Sequence, residues 1–463
     1  MTEQLKLKLN DSKATRWGAL VIVAFTMMAA YYVNDVVAPL KTMLETDLAW
    51  SSTDFGFFTG GYSFLNVFFL MLIWGGLILD RFGIRFTGKL ATILMVGGTA
   101  LEYYAMTGLA GADATLFGIN EIFGYKTGVF VAFAGYSIFG VGAEVAGITV
   151  SKIIAKWFKG KELATAMGVQ VALARIGAQD GYAVAIPLAR AFGISTPVLL
   201  GLVLLLGGMI AFFIFAVMDK KLDKQMEAAA IAAGTEDEEE KFSFKDVKNI
   251  LVNPGFWLIA LLCVLFYSCV FPFQKFASEL MIIKYGINEN VAGTFAGLPA
   301  LGALILTPVF GGFIDKRGKS ASIMLLGSAM LICVHFIYAI PDINYWLVAI
   351  VLMIILGIAF SLVPSAMWPA VAKIFPVSQL GTAYALIFFI QNIGLWGIPT
   401  LIGWVLDAYC ISGKKPDGTN MYDYTVPMCI FTGIACLSLI VALLLKKADK
   451  KYGYKLEEPN IQK

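Results

Sequence analysis

Apolar stretches long enough to cross a bilayer recur along nearly the whole chain, with short polar segments between them. A helix needs about 20 residues to span about 30 Å of hydrocarbon, and the stretches reach that length. The pattern predicts about twelve spans, near residues 17–40, 56–79, 87–108, 127–151, 162–188, 196–218, 254–277, 291–314, 321–340, 345–371, 380–406 and 424–446. We therefore expect an all-α integral membrane protein.

A longer polar segment in the middle of the chain divides the spans into two sets of six. It carries the acidic run Glu236 to Glu240, whose charges keep the segment solvated. The division predicts a cytoplasmic tail over 1–16, a six-helix bundle over 17–218, a cytoplasmic linker over 219–250, a second six-helix bundle over 251–446 and a cytoplasmic tail over 447–463.

Composition and charge placement agree with this division. The chain is 59% hydrophobic and 14% charged, which excludes an ordinary soluble domain. Basic residues concentrate in both tails and in alternate loops, a bias that places those loops and both termini in the cytoplasm. We expect a multi-pass protein of a bacterial inner membrane, surrounded by lipid and not bound to nucleic acid.

The sequence carries no pattern typical of an enzyme. Its six cysteines lie mostly inside apolar stretches and lack the spacing of metal ligands. The short loops contain no nucleophile beside a base and no phosphate-cradling glycine loop. We therefore predict neither catalysis, nor a metal, nor a cofactor.

Two glycine-rich loops stand at corresponding positions in the two halves. A single copy would be an ordinary basic loop, but two copies half a chain apart indicate an internal repeat. Glycines permit a tight turn between helices, and the charges can latch the cytoplasmic side. The first loop follows the second span and the other follows the eighth; their candidate gating residues are Gly76, Asp80, Arg81, Gly83 and Arg85, and Gly311, Asp315, Lys316 and Gly318.

Together these loops resemble the signature loop of the major facilitator superfamily. The resemblance implies two pseudo-symmetric bundles that rock about a central site and expose it to one side of the membrane at a time. It does not indicate a substrate.

Two opposite charges, Glu144 and Arg175, lie near mid-depth in the fourth and fifth spans. An ionisable side chain there costs about 2.5 to 3.5 kcal/mol on insertion scales, so each calls for a partner or a wet cavity. Their levels differ by about 6 Å along the membrane normal. They either pair with each other or hold the two ends of a zwitterion, the carboxylate taking an ammonium and the guanidinium gripping a carboxylate.

A closer resemblance extends from the first to the eleventh span. The chain is similar to the group of major facilitator proteins that contains the lysosomal dipeptide transporter, and we expect a bacterial member. The segments that carry it include Gly140-Val141-Gly142-Ala143-Glu144, Ala174-Arg175-Ile176-Gly177, Val270-Phe271-Pro272-Phe273, Met367-Trp368-Pro369, Gln379-Leu380-Gly381-Thr382-Ala383-Tyr384 and Ile390-Gln391-Asn392-Ile393-Gly394.

This resemblance implies movement of dipeptides down their gradient, with Glu144 reading the peptide amino end and Arg175 its carboxylate. Central-cavity positions are implied for Trp368, Tyr384, Gln391 and Asn392, and Tyr31 and Asp35 in the first span join the candidate substrate-binding residues. For the two aromatic residues, plain packing is the alternative. The amides are polar in mid-span, where an unpaired polar group is costly.

The chain also departs from the group. Tyr136 stands where the group has an arginine, so a proton role tied to that arginine cannot be carried over. Lys275 is either a further anion-binding point or a lysine that snorkels towards the outer surface. Glu102 and Asp180 are candidate proton carriers, or else they satisfy neighbouring helices.

Three functions remain open at this stage. The first is a dipeptide carrier working by alternating access, either facilitated or coupled to protons, which acts as a monomer without an accessory subunit. The second is an exchanger of small carboxylates anchored by Arg175 and Lys275. The third is a membrane sensor that binds a ligand without moving it.

Overall fold

The computed structural model describes residues 8–111, 114–158, 161–233 and 244–459. Within them the chain forms helices α1 (Lys13–Val36), α2 (Lys41–Asp47), α3 (Ser52–Phe68), α4 (Met71–Thr107), α5 (Thr127–Trp157), α6 (Leu163–Phe192), α7 (Thr196–Ala233), α8 (Phe244–Val252), α9 (Pro254–Tyr285), α10 (Glu289–Ala296), α11 (Leu298–Arg317), α12 (Ser320–Ala339), α13 (Trp346–Ile374), α14 (Val377–Tyr409) and α15 (Thr425–Tyr452).

Two short β-hairpins lie in the loops that connect the helices. Strands β1 (Glu121–Ile122) and β2 (Tyr125–Lys126) pair antiparallel before α5. Strands β3 (Ile411–Lys414) and β4 (Asn420–Tyr422) pair antiparallel between α14 and α15. A single turn of 3-10 helix, Ala38–Leu40, joins α1 to α2.

The helices account for the predicted spans. Among the described residues, nine segments are long and apolar enough to cross a membrane, and the bent pair α3 and α4 makes a tenth. α4 is interrupted at Gly83, where φ is 73° and ψ is 174°, so its second part is a separate span. α6 contains 30 residues, enough for about 45 Å, although its polar side chains lower its hydropathy. The described residues thus give nine or ten spans, and the second part of α4 and α6 are the candidates for the rest of the predicted twelve.

The bundle consists of two halves, α1 to α7 and α9 to α15. In the first half α4 packs along α5 and α1 along α6, and in the second α12 packs along α15 and α11 along α13. α3 crosses α14 between the halves, where a Cβ added to Gly56 would lie 2.4 Å from the Pro399 carbonyl oxygen. Only glycine allows so close an approach of two backbones. α7 continues to Ala233, well into the predicted linker, whereas the acidic run lies outside the described residues.

The ion pairs that the described residues form between the two halves lie on one side of the molecule. We call the side where α1 begins and α15 ends the terminal side, and the opposite one the far side. On the far side Lys41 Nζ of the first half lies 2.5 Å from Glu279 Oε2 of the second, and Arg190 pairs with Glu289. On the terminal side, ion pairs between described residues stay within one half, such as Arg16 with Glu162 at 2.8 Å. The structure is therefore closed on the far side.

Candidate functional site

Glu144 lies on α5 where that helix presses against α3. A Cβ added to Gly140 would lie 2.0 Å from the Tyr62 carbonyl oxygen, so the two backbones are almost in contact. This approach lets the Tyr62 hydroxyl donate a hydrogen bond of 3.0 Å to Glu144 Oε1. No other described residue donates to this carboxylate. Its second oxygen is therefore available to a ligand.

Arg175 lies on α6 and faces two aromatic rings. Its guanidinium carbon is 5.6 Å from the ring centroid of Tyr31 on α1 and 5.0 Å from that of Phe360 on α13. Such cation–π contacts attract the guanidinium to the ring faces without using its N–H donors. Within the described part of the chain Arg175 forms no ion pair and no hydrogen bond. Its planar donor fork is therefore free to grip a carboxylate.

Glu144 and Arg175 do not pair with each other. Tyr31 faces the Arg175 guanidinium, and its hydroxyl lies within the electrostatic field of Arg175, Glu144 and Asp35. The two side chains form no ion pair with each other, which removes mutual pairing as the explanation for their presence in mid-membrane. The first half thus presents an acid on α5 and a base on α6, held by separate contacts.

The second half contributes a cluster of aromatic side chains. The Trp368 ring stacks on Phe388 with centroids 4.8 Å apart, and the Tyr384 hydroxyl donates to the Trp368 carbonyl oxygen at 3.0 Å. Tyr267 on α9 contacts the Trp368 side chain and lies within the field of Arg175. Trp368 therefore contacts a residue that lies in the field of Arg175, and the Tyr384 hydroxyl holds the Trp368 backbone.

The two predicted amides are largely used inside the protein. Gln391 Oε1 accepts a hydrogen bond from the Cys263 thiol at 3.4 Å. The Asn392 side chain donates to the Phe388 carbonyl oxygen, one turn back, at 2.9 Å, while its own oxygen is buried without a described donor. These contacts tie α14 to α9 and to itself.

Lys275 and Asp35 engage each other. Lys275 Nζ lies 3.0 Å from Asp35 Oδ1 and 2.6 Å from the Asn34 carbonyl oxygen, with the Tyr136 hydroxyl at 3.4 Å. Both side chains are only 10% exposed, so Lys275 does not snorkel to the surface. The pair joins α9 of the second half to α1 of the first. A substrate role for either residue stays a prediction.

The two candidate proton carriers differ in surroundings. Glu102 is 0% exposed within α4, and neither of its carboxyl oxygens accepts a hydrogen bond from a described residue. Asp180 is exposed on α6, where its charge acts on the Tyr32 hydroxyl. Neither carboxyl forms an ion pair in the described ranges.

The glycine-rich loops end helices on the terminal side. In the first, Gly83 breaks α4 with a positive φ, Arg85 pairs with Asp219 at 3.4 Å, and Asp80 pairs with Lys152 at 3.0 Å. In the second, Gly318 ends α11 with φ of 71°. A Cβ there would lie 2.4 Å from the Glu457 carbonyl oxygen. Gly76 and Gly311 have open space around them, and Arg81 lies over the Phe82 ring.

Family comparison decides the class of the protein. The profile of the Major Facilitator Superfamily matches this chain over residues 20–399 and again over 273–458. The chain belongs to the Major Facilitator Superfamily. It is therefore an integral, multi-pass membrane transporter and not an enzyme, and the predicted family and fold are confirmed.

Three relatives that match this chain are each named lysosomal dipeptide transporter MFSD1. The lysosomal dipeptide transporter MFSD1 of Homo sapiens is 29% identical over 454 residues, covering 95% of this chain and 88% of its own. MFSD1 of Danio rerio is 26% identical over 441 residues, covering 93% and 86%. MFSD1 of Gallus gallus is 33% identical over 287 residues, covering 59% and 62%.

Solved structures of the superfamily share the fold. The nucleoside transporter NupG has a TM-score of 0.68 at 12% identity, covering 92% of this chain and 98% of its own. The D-xylose-proton symporter has a TM-score of 0.64 at 15% identity, covering 93% and 97%. A bacterial homologue of the human lysosomal transporter Spinster, inward-facing and unoccupied, has 0.63 at 14%, covering 98% and 99%.

Proposed function

We propose that this transporter moves dipeptides across the membrane by alternating access. One observation carries the proposal: an acid on α5 and a base on α6 lie inside the first half of the bundle, and neither neutralises the other. In the described part of the chain Glu144 accepts a hydrogen bond from Tyr62 alone, and the Arg175 guanidinium faces the rings of Tyr31 and Phe360. A ligand that is positive at one end and negative at the other would complete both.

The chemistry of a dipeptide fits this arrangement. Its ammonium group donates to the free oxygen of Glu144, and its carboxylate accepts two parallel N–H bonds from the Arg175 fork. The two ends of an extended dipeptide are about 7 Å apart, which suits charges on two neighbouring helices better than a single amino acid does. Trp368 and Tyr267 supply an apolar surface for the side chains between the ends.

The relatives support the same substrate class. The proteins that match over most of this chain are named dipeptide transporters. We extend that activity to this chain because Glu144 and Arg175 stand in the segments that carry the likeness. We further propose facilitated movement by a monomer in a bacterial inner membrane, with the terminal side in the cytoplasm, because basic residues concentrate there.

A carboxylate exchanger has less support. It would need Lys275 as a second anion-binding point beside Arg175. Lys275 already holds Asp35 at 3.0 Å and the Asn34 carbonyl oxygen at 2.6 Å. With that ammonium engaged, Arg175 is the single free cation of the candidate site among the described residues.

Counterflow in proteoliposomes tests the proposal. Vesicles loaded with unlabelled dipeptide should take up labelled dipeptide transiently above its external concentration. Vesicles loaded with a single amino acid or a dicarboxylate should not. Arg175→Ala should abolish the signal, while Lys220→Ala, which removes an exposed base from α7 outside the site, should keep it. Equal counterflow with a dicarboxylate, or none with any peptide, would overturn the assignment.

A further inference from the structure

The β3–β4 hairpin lies against both halves of the molecule. It connects α14 to α15 and so belongs to the second half. Lys415, which follows β3, lies 3.5 Å from the carboxylate of Glu45 in the first half. The ring of Tyr422 in β4 has its centroid 4.7 Å from Lys41 Nζ, also in the first half. The hairpin therefore crosses the boundary that must part when the far side opens.

Lys415 balances a buried cluster of charges at this boundary. Lys41 Nζ lies 2.5 Å from Glu45 Oε1 and 2.5 Å from Glu279 Oε2, so one lysine holds two carboxylates from opposite halves. Lys415 Nζ lies 3.5 Å from each of these carboxylates and supplies the second positive charge. Without it, the closed far side would bury a net negative charge, which is strongly disfavoured.

This need for Lys415 exists only while the far side is closed. When the halves separate, Lys41 stays with Glu45, four residues away on α2. Glu279 on α9 then faces the water that enters the opening, and it keeps the hydroxyl of Tyr424 from its own half. The two carboxylates no longer share one lysine. Lys415 therefore stabilises the closed state more than the open state.

A carboxylate of the second half also caps a helix of the first half. Asp407, in the last turn of α14, accepts hydrogen bonds from the N–H groups of Ser52 at 3.3 Å and Thr53 at 2.6 Å. These residues begin α3, and the first N–H groups of a helix lack partners within it and carry partial positive charge. The Tyr422 hydroxyl donates to Asp407 Oδ1 at 2.7 Å, so the hairpin orients this cap.

Other contacts between the halves can form without the hairpin. Arg190 and Glu289 are each 42% exposed on their side chains, so their pairing contributes little to closure. Lys275 and Asp35 pair one turn of α9 nearer the middle of the bundle than Glu279. Loss of the hairpin contacts should therefore weaken the closure of the far side without abolishing it.

We propose that the β3–β4 hairpin, together with Asp407 at its root, is the latch that holds the far side closed. The hairpin moves with the second half, because its strands pair with each other and the Asp423 N–H donates to the Cys410 carbonyl oxygen at 2.7 Å. Opening the far side releases Lys415 from Glu45 and α3 from its cap. The strength of the latch then sets how often the far side opens. The inference rests on alternating access, which is part of the proposed function, and not on the identity of the peptide.

Hydrogen exchange measured by mass spectrometry tests the latch on the full chain in lipid nanodiscs without peptide. In Lys415→Gln, the far-side segment 41–55 should exchange faster by at least about tenfold, because a buried charge has lost its partner. The terminal-side segment 80–90 should exchange more slowly, since one side closes as the other opens. Faster exchange in both segments would mean general destabilisation and would overturn the inference.

Lys414→Gln is the matched control. Lys414 directly precedes Lys415 and carries the same charge, but it is exposed and donates to Asn420 of the same hairpin at 2.7 Å. This variant should leave exchange unchanged on both sides. The double variant Lys415→Gln with Glu45→Gln removes one charge of each sign, so the cluster is neutral again. It should restore the exchange pattern of the unsubstituted protein.

Asp407→Asn tests the second contact of the latch and leaves the charge cluster intact, so it serves as an independent test if Lys415→Gln does not fold. It should shift exchange in the same direction by a smaller factor, since a neutral amide caps a helix less strongly than a carboxylate. Equal exchange in Lys415→Gln and Lys414→Gln, or no recovery in the double variant, would overturn the inference. A failed dipeptide counterflow would leave these measurements interpretable, because they use no peptide.

Discussion

Neutral side chains decide how the two charges of the candidate site are presented. The Tyr62 hydroxyl fixes one oxygen of Glu144 and thereby orients the other. The Phe360 ring, which is buried, supports the Arg175 guanidinium from the opposite half of the molecule. Because a polar group at this depth needs stabilisation, these contacts support both side chains while leaving their remaining bonding directions free.

Tyr62→Phe should weaken dipeptide binding selectively. A hydrogen bond to a charged group contributes about 1.5 to 3 kcal/mol, so affinity for a peptide with a free amine should fall about tenfold or more. Affinity for an N-acetylated peptide should hardly change. Titration calorimetry on the purified protein measures both.

Tyr338→Phe is the control for this change. The Tyr338 hydroxyl is also buried and donates to the Ala349 carbonyl oxygen at 2.8 Å, but it lies on α12 away from Glu144. It should lower stability and leave affinity intact. Equal loss of affinity in both variants would show that Tyr62 acts through general stability alone.

At the scale of elements, the sequence predicts the helices better than the joints between them. Apolar stretches of bilayer length identified the spans, and the paired loops located two helix ends. α4 runs through Gly83 as two spans joined at a break. This break depends on one backbone conformation, which no hydropathy pattern encodes. The crossing of α3 and α14 depends on glycines that lie far apart along the chain, so the sequence alone does not show that they are in contact.

Gly83→Ala should destabilise the protein through its backbone conformation. A φ of 73° with a ψ of 174° is open almost only to glycine, and forcing another residue into it costs about 1 to 3 kcal/mol. No atom lies within 4 Å of the added methyl group, so steric contact adds nothing. The melting temperature in detergent should fall accordingly.

Gly76→Ala provides the comparison within the same helix. Gly76 also has open space around it, but its backbone is helical, where alanine is preferred by about 0.5 to 1 kcal/mol. This variant should melt at the same temperature as the unsubstituted protein or slightly above it. A similar loss in both variants would contradict a conformational role for Gly83.

At the scale of the whole molecule, the ion pairs between the halves that the described residues form lie on the far side, and the two proposed substrate-binding charges lie in the first half. The sequence predicted Glu144 and Arg175 because isolated charges in apolar stretches are conspicuous. It did not predict that Lys275 holds Asp35, since the two are 240 residues apart and each could serve a ligand equally well. The sequence did not predict Phe360 as a residue of the candidate site, because one aromatic residue in an apolar stretch resembles any other.

The central claim is that Glu144 and Arg175 hold the two ends of one zwitterionic ligand. The most direct test measures the affinity of a dipeptide, its N-acetylated form and its C-terminal amide for the unsubstituted protein, Glu144→Gln and Arg175→Ala. Acetylation should cost the unsubstituted protein at least about tenfold but cost Glu144→Gln almost nothing, and amidation should show the same relation with Arg175→Ala. Acetylated and free peptides binding the unsubstituted protein equally well would contradict the account.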